Sequence, residues 1–250
     1  MNIKKGEYFV ANKIEELKAQ LADSQKIVFF GGAGVSTESG IPDFRSSKGL
    51  YMQESGTHVS AEEMISHTFY KRYPKQFFQY YFENLVFEDA EPNDAHIFLK
   101  DLEDQGKEVS IVTQNIDGLH QKAGSSVVHE LHGSTLRNYC TKCLLHYEID
   151  ELELDEDGIP RCPRDGAIVR PDIVLYEEGL DQNVVQQAIE DIQAADMLMI
   201  AGTSLVVYPA AGLINYFNGE HLVAINKSPI QVPAHTLVFE DAISNVFSKL

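Results

Sequence analysis

The sequence predicts an α/β fold built on a parallel sheet, with a smaller domain inserted into it. Three observations carry this expectation. Short, near-continuous apolar runs such as Ile27–Phe30, Val109–Thr113 and Met197–Ala201 read as strands buried on both faces. Segments of helical period separate them. A glycine-rich loop, Gly31-Gly32-Ala33-Gly34-Val35-Ser36, directly follows the first strand.

In chain order, Val10, Ile14, Leu17 and Leu21 recur at helical spacing and predict an amphipathic helix ahead of the Ile27–Phe30 strand. Asn93 stands as the cap of a helix carrying Ile97, Phe98 and Leu102, which should end at Gly106. Val109–Thr113 follows as a buried strand. Asp181 then caps a helix through Val184, Val185, Ala188, Ile189 and Ile192. Met197–Ala201 and His221–Ile225 are the next strands, joined by a helical segment after Pro209. Two stretches break this rhythm: residues 45–89, rich in aromatics and helical in pattern, and 137–168, which hold all three cysteines and an acidic run. Together they are expected to form the small domain. The remainder, 1–44, 90–136 and 169–250, forms the sheet domain.

The 250 residues are 44% hydrophobic with a formal charge of -18, enough apolar content for a sizeable core under an acidic surface. Such a surface repels phosphate backbones, so direct nucleic-acid binding is not expected. It tolerates lysine-bearing protein segments, although charge of this kind also serves solubility alone. The longest apolar runs are too short to cross a bilayer, and the first residues lead into no apolar export segment. A cytoplasmic protein without a membrane role is the expectation. Three cysteines, two of them spaced Cys-x-x-Cys, suit metal or redox chemistry better than a disulfide framework.

The glycine loop lets backbone N–H groups approach a pyrophosphate. It departs from G-x-G-x-x-G, since Thr37 stands three residues after Gly34, and alone it is equally a tight turn. Its continuation through Pro42-Asp43-Phe44-Arg45 is joined by Thr113-Gln114-Asn115-Ile116-Asp117-Gly118-Leu119-His120, then His129-Glu130-Leu131-His132-Gly133-Ser134, then Gly202-Thr203-Ser204-Leu205 and Ile225-Asn226. In this order the motifs resemble the sirtuin family of NAD-dependent protein deacylases, from about residue 10 to the C-terminus.

The resemblance implies a Rossmann-like domain, a small zinc-bearing domain and a substrate cleft between them. It implies that Gly32, Ala33, Gly34 and Thr37 hold the NAD diphosphate and ribose, with Asp43 nearby and Arg45 on phosphate. Phe44 would cover the reactive ribose face. Gln114, Asn115, Ile116 and Asp117 would line the nicotinamide and ribose pocket, Asp117 on the carboxamide and Asn115 on ribose or an ordered water. Gly202, Thr203, Ser204 and Asn226 would complete the cofactor site. A capping cluster is the other use of Asn115 and Asp117. His132 would be the general base, since it is the histidine followed by glycine, and His129 the decoy. The implied reaction consumes NAD: the acyl-lysine carbonyl oxygen attacks the ribose, and free lysine, nicotinamide and an O-acyl-ADP-ribose result.

The segment Ala167–Glu178 matches the family's substrate-pairing strand, and Val169, Arg170 and Pro171 are its candidate substrate contacts. The family's Phe-Gly-Glu is replaced here by Tyr176-Glu177-Glu178. Counting back from Pro92-Asn93, Tyr80 and Glu83 match the Tyr-x-x-Arg pair of succinyl-accepting and malonyl-accepting sirtuins. Glutamate there would repel an acidic acyl tail, so neutral acyl groups, acetyl first, are expected.

Sirtuins carry two Cys-x-x-Cys pairs; here Cys140, Cys143 and Cys162 are joined by Asp165. These four are the candidate zinc ligands of a zinc-ribbon-like module that is either a weakened centre or a vestige. His146 is an alternative nitrogen donor, and Arg164 a competitor for Asp165. A mono-ADP-ribosyltransferase and a catalytically silent NAD-sensing module are the alternatives to the deacylase.

Overall fold

A computed structural model describes residues 3–44, 50 and 59–250, with side chains from residue 11 onward. Helix α1 (Ile3–Asp23) precedes strand β1 (Lys26–Gly31). Three helices follow: α2 (Ala61–Met64), α3 (His67–Arg72) and α4 (Pro74–Asn84). Next come α5 (Asp94–Asp104), β2 (Glu108–Thr113), α6 (Leu119–Lys122), β3 (Val128–Glu130), β4 (Gly133–Cys140), β5 (His146–Glu148) and β6 (Val169–Ile173). The chain closes through α7 (Gln182–Ala194), β7 (Met197–Ala201), β8 (His221–Ile225), β9 (Leu237–Phe239) and α8 (Ile243–Phe247).

Six strands form one parallel sheet in the order β3-β2-β1-β7-β8-β9. This is the Rossmann order, with its switch point between β1 and β7. Both faces are covered, which is why these strands read as unbroken apolar runs. On one face Ile14, Leu17 and Leu21 of α1 and Leu99 of α5 pack with Phe29, Ile111 and Met199. On the other, Ala188 and Ile192 of α7 pack with Val28, Phe30 and Leu198. Val10 lies in the part of α1 whose side chains are not described.

The predicted caps are in place. Asn93 caps α5, its side chain accepting from the Ala95 amide, and the segment ends at Gly106 with φ +93°. Asp181 caps α7 through the amides of Asn183 and Val184. The helical segment after Pro209 is a 3-10 helix, Ala210–Tyr216.

Helices α2–α4 bury Phe77, Phe78 and Tyr81 against Leu50, Ile159, Ile173 and Leu175. A three-stranded antiparallel sheet, β5-β4-β6, carries the cysteines. The expected boundary at 136/137 falls inside β4, and the one at 168/169 at the edge of β6, because both strands belong to this second sheet.

Candidate active site

The C-terminal ends of β1, β2 and β7 open at the switch point into a cleft of about 960 Å³. Two glycines set its floor. A Cβ on Gly34 would stand 2.8 Å from the Gly202 Cα, and one on Gly202, held at φ +59°, 2.5 Å from the Val35 nitrogen. These chains approach closely because neither residue has a side chain. The Gly34 amide donates to Gly202 O at 2.8 Å, and Gly202 N to Ile225 O at 3.2 Å, tying the loop to β7 and β8. The cradle matches a pyrophosphate-binding loop, so the residues present fit a dinucleotide.

Gly32, Ala33, Gly34, Thr37, Asp43, Phe44, Gln114, Asn115, Ile116, His132, Gly202, Thr203, Ser204 and Asn226 all line this cleft. Asp117 lines a small adjoining pocket of about 30 Å³ that shares Phe44, Asn115 and Ile116 with it. Arg45 lies outside the described residues.

Three polar side chains from two loops are joined there. Asn115 donates through Nδ2 to Ser36 Oγ at 3.0 Å, and Ser36 donates to Asp117 Oδ2 at 2.7 Å. Asp117 Oδ1 accepts from the Leu119 amide at 3.0 Å, so the carboxylate also caps α6, and the capping use coexists with a place in the pocket. Ser36, almost wholly buried, ends the glycine loop that the sequence singles out; its part as the link between Asn115 and Asp117 is what sequence reasoning missed. Its signal was present: Gly31 pairs with Thr113 across β1 and β2, so residues just beyond the two strand ends must meet.

His132 stands where the chain leaves β3 and enters β4. Its Nδ1 donates to Gln114 O at 2.8 Å, leaving the unprotonated Nε2 as the ring's acceptor. Burial lowers its pKa, with the Gln114 bond pulling the other way. Gly133 has to be glycine: at φ +75° a Cβ would overlap Asp172 O. His129 is held instead by Asp191 of α7, Nε2 to Oδ2 at 2.7 Å.

Val169, Arg170 and Pro171 do not line the cleft. They are buried in the antiparallel sheet, where Arg170 makes a two-pronged pair with Glu178 at 2.7 and 3.0 Å and lies over the Tyr70 and Tyr139 rings. A strand side chain that follows the pleat into a core cannot also meet a ligand. The part of the segment on the cleft is Ile173–Glu178. Glu83 is likewise displaced from its expected place: it is exposed on α4 with Gln79 donating to it, while Ile65 and Leu85 line the cleft.

The sulfurs of Cys140, Cys143 and Cys162 and a carboxylate oxygen of Asp165 all lie within 4.8 Å of one another. The amides of Lys142 and Cys143 both donate to Cys140 Sγ at 3.4 Å, and the Tyr147 hydroxyl lies 3.1 Å from Cys162 Sγ. Three soft donors and one oxygen converging in this way fit a tetrahedral zinc ion. His146 is exposed on β5 and outside this group, and Arg164 makes no ion pair with Asp165 among the described residues.

Residues 32–209 match the model of the Sir2 family. An NAD-dependent protein deacetylase of Clostridium perfringens is 54% identical over 241 residues, covering 96% of this chain and 98% of that one. A solved structure of Sir2 with a p53 peptide and NAD+ superimposes with a TM-score of 0.81 at 33% identity, covering 94% of this chain and 96% of that one. One of Sir2 bound to acetylated peptide gives 0.82 at 32% identity, with the same coverage.

Proposed function

The chain belongs to the Sir2 family, and from that premise we propose that it is an NAD-dependent protein-lysine deacetylase. Free lysine, nicotinamide and O-acetyl-ADP-ribose are its products. The observation that carries the reading is a cleft holding a basic His132 Nε2 and a glycine cradle, with the Asn115–Ser36–Asp117 chain running from it into the adjoining pocket. Bound NAD supplies an electrophilic ribose carbon with nicotinamide as its leaving group. Gly32, Ala33, Gly34 and Thr37, with Gly202, Thr203, Ser204 and Asn226, hold the diphosphate and riboses. Asp43 belongs with this set, and Arg45 is assigned to phosphate.

Asp117 takes the carboxamide N–H on carboxylate lone pairs that Ser36 and Leu119 leave free. Asn115, fixed by Ser36, orients ribose or a water, and Ile116 and Phe44 keep bulk water off the reacting face. His132 removes a ribose hydroxyl proton through Nε2. The substrate segment pairs with the Val174–Glu177 side of the cleft. Cys140, Cys143, Cys162 and Asp165 hold a structural zinc ion remote from His132, which supplies cross-linking and no chemistry.

Mass spectrometry of products from NAD and an acetyl-lysine peptide tests the reading. Equal amounts of deacetylated peptide, nicotinamide and O-acetyl-ADP-ribose are expected. Nicotinamide release that ignores the peptide, with ADP-ribose appearing on protein, would make the chain a mono-ADP-ribosyltransferase. Binding of NAD without turnover of either kind would make it a sensing module.

A further inference from the structure

Glu177 occupies a position that glutamate does not favour. Its φ is +75°, in the left-handed region where a Cβ costs about 1 kcal/mol or more. Glycine, the residue that the family pattern carries here, would relieve the strain. The side chain is nonetheless anchored: its Oε2 accepts from Thr68 N at 2.9 Å and Thr68 Oγ1 at 2.7 Å. These two bonds hold the carboxyl below the usual glutamate range, so it is charged throughout the neutral range. Its Oε1 has no partner among the described residues and the side chain is exposed. Glu177 lines the cleft in the segment proposed above to meet the substrate.

Three other acids of the cleft, Glu38, Glu178 and Asp241, are differently placed. Glu178 is neutralised by Arg170 and hydrogen-bonded to His67. Glu38 accepts from Ser244, and Asp241 from Ala242 and Asn245, on the α8 side. Across the lining, Val206 and Tyr208 are 57% and 73% exposed, an apolar rim carrying no charge of its own. Leu205, the residue before Val206, also holds a positive φ, +54°. Positive φ at a non-glycine residue thus occurs at Glu177 and beside the Val206 rim, as it also does at Leu144 in the cysteine module, and it persists only where the surroundings enforce it.

We infer that Glu177 sets the flanking-sequence preference of the enzyme, favouring acyl-lysine segments with an arginine or lysine within about two residues of the acylated position. This rests on the deacetylase reading. Strand addition through backbone bonds is indifferent to sequence, so discrimination falls to side chains at the rim. A fixed, half-solvated carboxylate there attracts a cation and repels another carboxylate, and the overall charge of -18 adds the same sign at longer range.

The test measures kcat/KM on three acetyl-lysine peptides that differ only in having Arg, Ala or Glu at the flanking positions. Wild type should prefer Arg over Glu by about fivefold or more at low salt, with the ratio shrinking as ionic strength rises. The ratio should collapse toward one in both Glu177→Gln, which keeps an acceptor for Thr68, and Glu177→Gly, which relieves the backbone. An Arg-to-Glu ratio that survives in both variants would overturn the assignment, as would a wild-type ratio of one. Turnover of the Ala peptide by wild type separates this failure from the other: if that peptide is deacetylated without charge preference, only the inference about Glu177 falls, and if no peptide is deacetylated both readings fall.

Discussion

One hydrogen bond fixes the chemistry available to His132. A carbonyl oxygen can only accept, so the 2.8 Å contact to Gln114 O puts the proton on Nδ1 and the lone pair on Nε2. Burial then keeps the ring neutral to lower pH, opposed by the Gln114 bond. The acid limb of kcat/KM should therefore have its midpoint below the ordinary histidine value of about 6.5. A limb centred above that value would point to a different base. His132→Ala should lower turnover about 10²- to 10⁴-fold and leave NAD affinity by calorimetry nearly unchanged, since the base acts on the reaction. Near-normal turnover would remove His132 from the mechanism. Ser36 acts through Asp117, so Ser36→Ala and Asp117→Asn should each weaken inhibition by nicotinamide, and the double variant should be little worse than Asp117→Asn alone. Additive effects would show that the two residues work independently.

At the scale of elements, what the sequence revealed depended on burial. Strands β1, β2, β7 and β8 are covered on both faces and read as apolar runs, and the Asn93 and Asp181 caps announced α5 and α7. The three-residue strands β3 and β9 are too short to carry a period. The resemblance marks the strand that holds Val169-Arg170-Pro171 as a substrate-pairing one, and only the fold shows that these side chains turn into the second sheet, with Arg170 in a buried ion pair. Glu83 misled for a related reason: counting along α4 fixes position but not the facing side, and Glu83 faces solvent. Ile65 and Leu85 on the cleft would offer an acyl carboxylate no partner, which supports the expected preference for neutral acyl chains. Acetyl peptide should be turned over at least tenfold faster than its succinyl counterpart, by about the penalty for an unpaired charge; equal rates would mean that a cation reaches the acyl tail. In the cysteine module, one oxygen among three sulfurs should give a zinc ion that EDTA strips more readily than from the Asp165→Cys variant. Metal content after timed chelation measures this, and identical loss from both proteins would take Asp165 out of the ligand set.

The whole molecule carries a charge of -18, and among its described residues no helix is long and apolar enough to cross a membrane. Two buried rings contribute to its response to acid. His96 and His120 lie 4.7 Å apart, edge to face, and both are at least 99% buried. His96 Nε2 and both nitrogens of His120 have no hydrogen-bond partner among the described residues. Desolvation lowers His96 to about 4, with Asp117 opposing, and lowers His120 to about 3, with His96 adding to the effect. In the unfolded chain both titrate near 6.5, so between there and the folded values the unfolded state binds more protons. Stability from these two groups is complete above about pH 6.5 and declines as pH falls toward 4 and 3. By pH 5 the linkage amounts to at most about 2 kcal/mol for each ring. Carboxylates in native pairs act lower down: although desolvation raises Glu178, its Arg170 bonds hold it to about 2, so its contribution persists until its unfolded form begins to protonate. Urea melts at pH 7 and pH 5 should thus show a loss that His120→Leu, which removes two unpaired nitrogens at similar volume, reduces by about half. An equal loss in wild type and variant would place the acid sensitivity elsewhere, and an undiminished wild type at pH 5 would mean that the rings accept protons in the folded protein.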